Sequence, residues 1–290
     1  MLCTEKGIRM INLFDNSFAH AHCSTGWKIP KNIKYTRGNV DWDGITLFTE
    51  SCIFDGSVDR VNSPIKIAWL MEPPAISNHL YINLPDVIQK FDYVLTHNKT
   101  ILTRYPEKSF KVPTGGVWIN EWLKYKDKKP SSYPVSIIYS DKKSTEGHKL
   151  RHTVASKFND IHKFGRGVNP IDSKEEALHN YYFSIVIENS KTDNYFTEKI
   201  CDCFATSTIP IYWGPNNIGD FFNTEGIITF SDLNELGEIL KNVRKNYVSI
   251  YQSKQSAILD NYNMVKQYEV MDDWIYNNIL VNLIKGVKNV

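Results

Sequence analysis

The first half of the chain alternates short apolar runs with segments of helical periodicity. Runs rich in β-branched and aromatic residues predict strands at 8–14, 44–48, 65–71, 93–96 and 110–112. Helices are predicted at 84–91, with Pro85 in the first turn, and at 99–104. Strands that alternate with helices in this order indicate a parallel sheet with crossover helices.

A second series of the same kind follows a charged segment that contains two prolines. Residues 124–134 (KYKDKKPSSYP) lack apolar periodicity and predict a linker. Beyond it, strands are predicted at 135–139, 183–187, 209–213 and 227–230, and helices at 147–158, 196–205 and 233–243. The pattern predicts an α/β protein of two domains, residues 1–128 and 129–290, which agrees with the length of 290 residues.

The tail from about residue 247 to 287 has helical periodicity, with Ile275, Ile279, Leu283 and Val287 at four-residue steps. An amphipathic tail can lie on a membrane surface, but the acidic pair Asp272 and Asp273 favours packing against the protein. No apolar run is long enough to span a bilayer, and the N-terminal sequence does not resemble a signal peptide. We therefore expect no integral membrane association.

Composition excludes several classes of protein. Apolar residues make up 42% of the chain and charged residues 23%, as in a globular domain and unlike disordered or coiled-coil sequences. Because 34 basic residues balance 32 acidic ones, bulk charge does not indicate nucleic-acid binding. The five cysteines are scattered without a C-x-x-C pair, which favours neither a disulfide framework nor a zinc site and predicts a reducing, cytoplasmic location.

The segment 183–215 (FSIVIENSKTDNYFTEKICDCFATSTIPIYWGP) carries the clearest chemistry. Its apolar strand stops at Glu188, Asn189 and Ser190, and ligands of parallel sheets lie beyond the carboxyl ends of strands. The next helix places Glu198 and Lys199 in its first turn, where free backbone N–H groups favour phosphate. Glu198 can accept hydrogen bonds from ribose hydroxyls. Periodicity alone supports equally well a capped helix whose Glu198 and Lys199 are only solvated.

Three pieces of this segment together resemble the C-terminal signature of the α-1,3/4-fucosyltransferases, glycosyltransferase family 10. They are Glu188-Asn189-Ser190, Tyr195-Phe196-Thr197-Glu198-Lys199 and the run 209–215 (IPIYWGP). The resemblance implies a GT-B fold, in which two Rossmann-like domains face each other across a cleft. It also implies inverting transfer of L-fucose from GDP-fucose, held by the C-terminal domain, to a hydroxyl of a glycan acceptor. No cofactor is implied, and we do not expect a divalent metal to be essential.

The resemblance also assigns donor-binding residues. It places Lys199 and Arg151 on the diphosphate and Glu198 on the ribose; for Arg151, a solvated helix cation is the alternative. The donor-binding set predicted from the signature and the strand ends is Arg151, Glu188, Asn189, Ser190, Tyr195, Thr197, Glu198 and Lys199.

An inverting transfer needs a carboxylate that takes the proton of the acceptor hydroxyl. Glu72 ends the apolar run 67–71 and lies beside Trp69 and Met71, where desolvation would raise its pKa. The family has its base in a similar W-x-x-E-[SR]-P context, from which this chain departs at Pro73. Glu72 is therefore the predicted base. A structural carboxylate is the alternative, and Glu50 at the end of the preceding strand is then the next candidate.

Two other motifs point less clearly to chemistry. Asp41-Trp42-Asp43 has the form of a D-x-D metal site, but its position before a predicted strand favours a polar turn. His20 and His22 lack partners at metal-ligand spacing. Two rival functions remain open at this point: a transferase of the same fold that uses another nucleotide sugar, and a catalytically degenerate glycan-binding module.

Overall fold

A computed structural model describes residues 8–122 and 134–287. They divide into two compact units. The first contains the residues up to Gly116 together with 193–195 and the tail from Glu269, and the second contains 117–192 and 196–268. The predicted domain boundary after residue 128 and most of the predicted linker lie outside the described residues. Of the helical tail predicted from about residue 247 and assigned from sequence to the second domain, the part from Glu269 groups with the first unit and the part up to Tyr268 with the second.

The first unit is built on a parallel sheet of six strands in the order β2-β1-β3-β4-β5-β6. The strands are β1 (Arg9–Phe14), β2 (Ile33–Arg37), β3 (Ile45–Thr49), β4 (Ile65–Trp69), β5 (Tyr93–Thr96) and β6 (Ser109–Lys111). All five residues of β3 are buried, because helices cover both faces of such a sheet. The strand order reverses between β1 and β3, and crevices that bind ligands form at such switch points, beyond the carboxyl ends of the strands.

The helices of the first unit are α1 (Ser57–Arg60), α2 (Pro74–Val87) and α3 (Lys99–Arg104). The prediction of a helix at 84–91 was wrong in its start, because α2 begins ten residues earlier, at Pro74. Proline is well tolerated at the first helical position, so Pro74 starts the helix and Pro85 lies inside it. The start of α2 was missed because its apolar residues do not all lie on one buried face. Ile76 and Ile82 are 43% and 65% exposed.

The second unit has a parallel sheet of five strands in the order β11-β10-β9-β7-β8. The strands are β7 (Val135–Ile138), β8 (His162–Phe164), β9 (Phe183–Ile187), β10 (Ile209–Trp213) and β11 (Ile228–Thr229). The helices are α4 (Glu146–Lys157), α5 (Glu175–Leu178), α6 (Glu198–Ala205), α7 (Leu233–Ser253) and α8 (Gln255–Met264). The predicted strands at 183–187 and 209–213 are confirmed, and both are buried throughout. Helix α6 begins at Glu198, two residues later than predicted.

The tail continues with α9 (Met271–Ile275), a π-helical turn (Tyr276–Leu280) and α10 (Val281–Val287). Its prediction as a helical segment packed on the protein is confirmed, since Ile275 and Ile279 are buried in the first unit. Both acidic residues hold the tail on the first unit. Asp272 accepts hydrogen bonds from Ser24 and Tyr35, and Asp273 accepts the backbone N–H groups of Lys31 and Asn32. Throughout 8–122 and 134–287, no helix combines the length and apolar character needed to cross a membrane.

Candidate active site

A cavity of about 360 Å³ opens in the second unit, along β9 and beyond the carboxyl end of β7. Basic side chains predominate among the charged residues that line it. They are Lys142, Arg151, Arg166, Lys174 and Lys199, against the acidic Asp141, Glu198 and Asp202. A concave site of this size and charge suits a ligand that carries phosphate.

Arg151 lies on α4, is almost fully buried, and lines the cavity. Its Nε and Nη2 donate to the carbonyl oxygen of Ile187 at 2.9 and 2.6 Å. Nη2 also donates to Oδ1 of Asn189 at 2.9 Å. The alternative of a solvated helix cation is therefore wrong for Arg151, because its guanidinium is fixed to the end of β9.

The start of α4 is held close to the same strand end. Thr145 caps the helix by accepting a hydrogen bond from the backbone N–H of His148 at 3.1 Å. Gly147 approaches so closely that a β-carbon there would lie 1.7 Å from the carbonyl oxygen of Glu188, so only glycine fits. Burial and, after it, the nearby charges of Arg151, Lys142 and Lys199 together lower the pKa of His148 to about 4. The imidazole thus lies in a region of positive potential.

Glu188 is fully buried and organises the start of α6. It accepts hydrogen bonds from the backbone N–H of Thr197 at 3.0 Å and from the Thr197 hydroxyl at 2.8 Å. The Lys199 ammonium lies 3.7 Å from Glu188 and donates to Oγ1 of Thr197 at 2.9 Å. Because its carboxylate is enclosed by these groups and by the Tyr212 hydroxyl at 3.4 Å, Glu188 supports Lys199 from beneath the cavity surface.

Glu198 lies between two ammonium groups. Its Oε1 is 3.5 Å from Nζ of Lys199 and 3.5 Å from Nζ of Lys174. Burial raises the pKa of Glu198, but the two lysines outweigh that effect and hold it well below its usual range. The two ammonium groups therefore hold Glu198 in its ionised form, which only accepts hydrogen bonds.

Lys174 and Asp202 are site residues that the sequence analysis missed. Nζ of Lys174 donates to Oδ2 of Asp202 at 2.7 Å, and both residues line the cavity. Burial raises the pKa of Asp202 to about 6. Lys174 precedes α5 and Asp202 lies within α6 outside the signature pieces, so no sequence pattern marked either one.

The remaining signature residues lie in different surroundings. Asn189 and Ser190 follow β9, and the Ser190 hydroxyl is 2.8 Å from that of Thr192. Tyr195 belongs to the first unit, where its ring centroid is 5.0 Å from that of His97. The neighbouring Asn194 donates to the backbone carbonyl of His97 at 3.0 Å. Of the predicted donor-binding residues, Arg151, Glu198 and Lys199 line the cavity. Asn189 contacts Arg151, and Glu188 and Thr197 contact Lys199, without lining the cavity themselves. Ser190 and Tyr195 lie outside the lining.

Glu72, the predicted base, lies in the first unit just beyond β4. A cavity of about 260 Å³ beside it is lined by residues that follow β1, β3 and β4, among them Ser17, Glu50 and His79. Glu72 is half-buried, and its backbone carbonyl accepts the Tyr81 hydroxyl at 2.5 Å. This cavity lies at the carboxyl edge of the sheet, beside the switch point between β1 and β3.

The two other motifs lie elsewhere in the first unit. Asp41 and Asp43 are exposed in the turn before β3, at the opposite edge of the sheet from Glu72, as the prediction of a polar turn requires. The His20 and His22 rings stack at 5.5 Å. Among the described residues, no group of three or more His, Cys, Asp or Glu side chains is arranged to hold a metal ion.

The two parallel α/β units define a class of protein, the GT-B glycosyltransferases. Crystal structures of α1,3-fucosyltransferase share the fold, and the one with GDP has a TM-score of 0.53 at 15% identity over 94% of each chain. The one with GDP-fucose has a TM-score of 0.50 at 16% identity over 80% of each chain. The predicted GT-B fold class is confirmed.

Sequence comparison identifies the family within that class. The model of "Glycosyltransferase family 10 (fucosyltransferase) C-term" matches residues 127–276, just over half of the chain. The chain therefore belongs to glycosyltransferase family 10.

Curated relatives match over shorter stretches. The alpha-(1,3)-fucosyltransferase FucT of Helicobacter pylori is 31% identical over 90 residues, which cover 31% of this chain and 18% of the relative. The alpha-(1,4)-fucosyltransferase of Arabidopsis thaliana is 26% identical over 96 residues, 31% of this chain and 24% of the relative. The matches thus span about a fifth of the length of these relatives.

Proposed function

We propose that the chain transfers L-fucose from GDP-fucose to a hydroxyl group of a glycan acceptor, with inversion at the sugar C1. The observation that carries this proposal is the cavity of the second unit. Arg151 and Lys199 both line it, and Lys199, in the first turn of α6, lies 3.5 Å from Glu198. The two cations suit a diphosphate and Glu198 suits a ribose, which agrees with the donors named for the crystal-structure relatives.

The proposed reaction has two requirements, a stabilised leaving group and a base. As the C1–O bond breaks, negative charge grows on GDP, and the fixed charges of Arg151 and Lys199 stabilise it without rearrangement. They supply the electrostatic role that a divalent metal has in other transferases. Glu72 accepts the proton of the acceptor hydroxyl while that oxygen attacks C1 from the face opposite GDP. A cytoplasmic location belongs to the same proposal, and the described cysteines, Cys23, Cys52, Cys201 and Cys203, do not form disulfides.

The test is a donor screen with the purified chain. GDP-fucose, GDP-mannose, UDP-galactose and UDP-N-acetylglucosamine are each supplied with and without a glycan mixture, and release of the nucleoside diphosphate is measured. We expect turnover with GDP-fucose above the other three, and an α-linked fucose in the product by NMR. Turnover of a UDP-sugar alone would identify another donor. Binding of glycans without turnover of any donor would identify a binding module.

A thermal-shift measurement tests the nucleotide directly. Because a ligand that binds only the native state stabilises it by mass action, GDP is expected to raise Tm far more than UDP at equal concentration. The Arg151→Ala variant is the control, since it removes a predicted diphosphate contact from the cavity. Equal shifts with GDP and UDP would contradict the choice of a guanine nucleotide.

A further inference from the structure

Glu50 follows β3 directly and lines the cavity that also contains Glu72. Its side chain is almost fully buried, yet it does not form an ion pair among the described residues. Instead, its Oε1 accepts the backbone N–H of Met71 at 2.6 Å and that of Glu72 at 3.0 Å. The carboxylate therefore holds the backbone at the very position from which the Glu72 side chain projects.

The backbone of Glu50 is itself constrained. Its φ of +47° lies in the left-handed region, which a residue with a β-carbon adopts rarely. Such a conformation persists where the surroundings fix it, and it is common at functional sites. Since β3 and β4 are neighbours in the sheet, with Thr49 opposite Trp69, the strained residue links the ends of two adjacent strands.

Both N–H groups converge on one oxygen of Glu50. A carboxylate oxygen has two lone pairs, so the two N–H donors occupy Oε1, and the Ser77 side chain also hydrogen-bonds to the carboxylate. Burial raises the pKa of Glu50, and the N–H groups of Glu72 and Met71 oppose that change by stabilising the charged form. These contacts suit a group that orients its neighbour better than one that takes a substrate proton.

We propose that Glu50 is a positioning residue that fixes the segment 71–72 and thereby aims the Glu72 carboxylate at the acceptor hydroxyl. This inference rests on the proposed function, in which Glu72 is the base. It assigns Glu50 a role through hydrogen-bond acceptance by Oε1, for which its negative charge is not required.

Three substitutions separate hydrogen-bond acceptance by Glu50 from its negative charge. Glu50→Gln keeps an oxygen that can accept both N–H groups, Glu50→Asp keeps the charge but withdraws the acceptor by one methylene, and Glu50→Ala removes both. We expect Glu50→Ala and Glu50→Asp to lower kcat about 10–100-fold, because a displacement of about 1 Å has effects of that size. KM for GDP-fucose should change less than about 2-fold, since the donor-binding residues are unaltered. Glu50→Gln should recover most of the lost kcat.

Asp273 provides a matched control in the same unit. Its carboxylate accepts the backbone N–H groups of Lys31 at 2.9 Å and Asn32 at 2.9 Å, before the amino end of β2 and so at the opposite edge of the sheet. Asp273→Ala therefore removes equivalent bonds away from Glu72. We expect it to lower Tm without lowering kcat.

The outcomes distinguish the possible roles. A Glu50→Gln variant as inactive as Glu50→Ala would overturn the inference and make Glu50 the base or a required charge. A kcat unchanged in both Glu50→Ala and Glu50→Asp would leave Glu50 a purely structural residue. If Glu50→Ala does not fold by circular dichroism, Glu50→Asp and Glu50→Gln decide. A wild-type chain inactive on every donor would instead refute the proposed function.

Discussion

Nη2 of Arg151 donates a hydrogen bond to Oδ1 of Asn189 at 2.9 Å inside the second unit. Arg151 lies in the middle of α4, and Asn189 is the second residue after β9, so the bond joins a helix to a strand end. A guanidinium fixed in this way needs no rearrangement when charge develops on a leaving group. The relationship predicts that the two residues act on the same step.

Removal of Arg151 tests that step. Arg151→Ala should lower kcat/KM for GDP-fucose about 10²–10³-fold, because the charge on the diphosphate grows towards the transition state. Asn189→Ala leaves Arg151 its hydrogen bonds to the Ile187 carbonyl, so this variant should lower kcat/KM for GDP-fucose only about 10-fold. Initial rates and GDP titration by calorimetry provide the measurements. The control is Lys241→Ala, which removes a cation from an exposed face of α7. It should change neither kcat/KM nor GDP affinity. A larger loss in Asn189→Ala than in Arg151→Ala would contradict the prediction.

Glu72→Gln tests the proposed base separately from the donor site. The substitution keeps the shape of the side chain but removes its proton affinity, so kcat should fall by ~10²–10⁴. GDP affinity should stay unchanged, because Arg151 and Lys199 line a cavity that belongs to the second unit, whereas Glu72 lies in the first. Lys199→Ala should show the opposite pattern, with weaker GDP binding as well as a lower kcat. A Glu72→Gln variant that turned over normally at saturation would make Glu72 structural.

The sequence predicted the fold well where strands are buried on both faces. Strands β9 and β10 were located to the residue because four of the five residues in each are apolar. Strands β2 and β8 were not predicted, because both lie at sheet edges and their sequences, IKYTR and HKF, are half polar. An edge strand is stabilised by its partner through backbone bonds that side-chain patterns do not show.

The site was predictable where its residues lie in the signature and, for Arg151, where the family resemblance extends beyond it. Thr197, Glu198 and Lys199 are adjacent in sequence, so one motif identified all three. The sequence could not predict that Glu198 lines the cavity while Glu188 is buried beneath it. The two glutamates differ in this respect only through their three-dimensional surroundings. Lys174 reaches the cavity from a segment far from the motif in sequence, and only the tertiary fold brings its ammonium within 2.7 Å of Asp202.

Chelation tests the expectation that no divalent metal is essential. Turnover of GDP-fucose should retain most of its rate after dialysis against EDTA, because Arg151 and Lys199 are expected to stabilise the diphosphate themselves. The measurement is the initial rate before and after addition of Mn²⁺ or Mg²⁺. Complete loss of activity that Mn²⁺ restores would contradict the expectation. The variants Asp41→Asn and Asp43→Asn would then identify the ligands.

The dependence of stability on pH provides a test in the first unit. His97 is fully buried, and no hydrogen-bond partner for either ring nitrogen lies among the described residues. Burial lowers the pKa of His97 from 6.5 to about 3. Between these values the unfolded chain binds a proton that the folded chain does not, so the free energy of unfolding should fall as pH decreases below about 6.5.

Replacement of His97 isolates this contribution. His97→Phe keeps a ring beside Tyr195 but removes the titrating group, so the free energy of unfolding should depend less steeply on pH by up to about 1.4 kcal/mol per pH unit between pH 4 and 6. Urea titrations of wild type and variant across pH 4–7.5 measure the difference. His22→Phe, at an exposed position, controls for the loss of an imidazole as such. Parallel curves for wild type and His97→Phe would show that His97 titrates alike in both states, since only a proton bound differently by the two can change the slope.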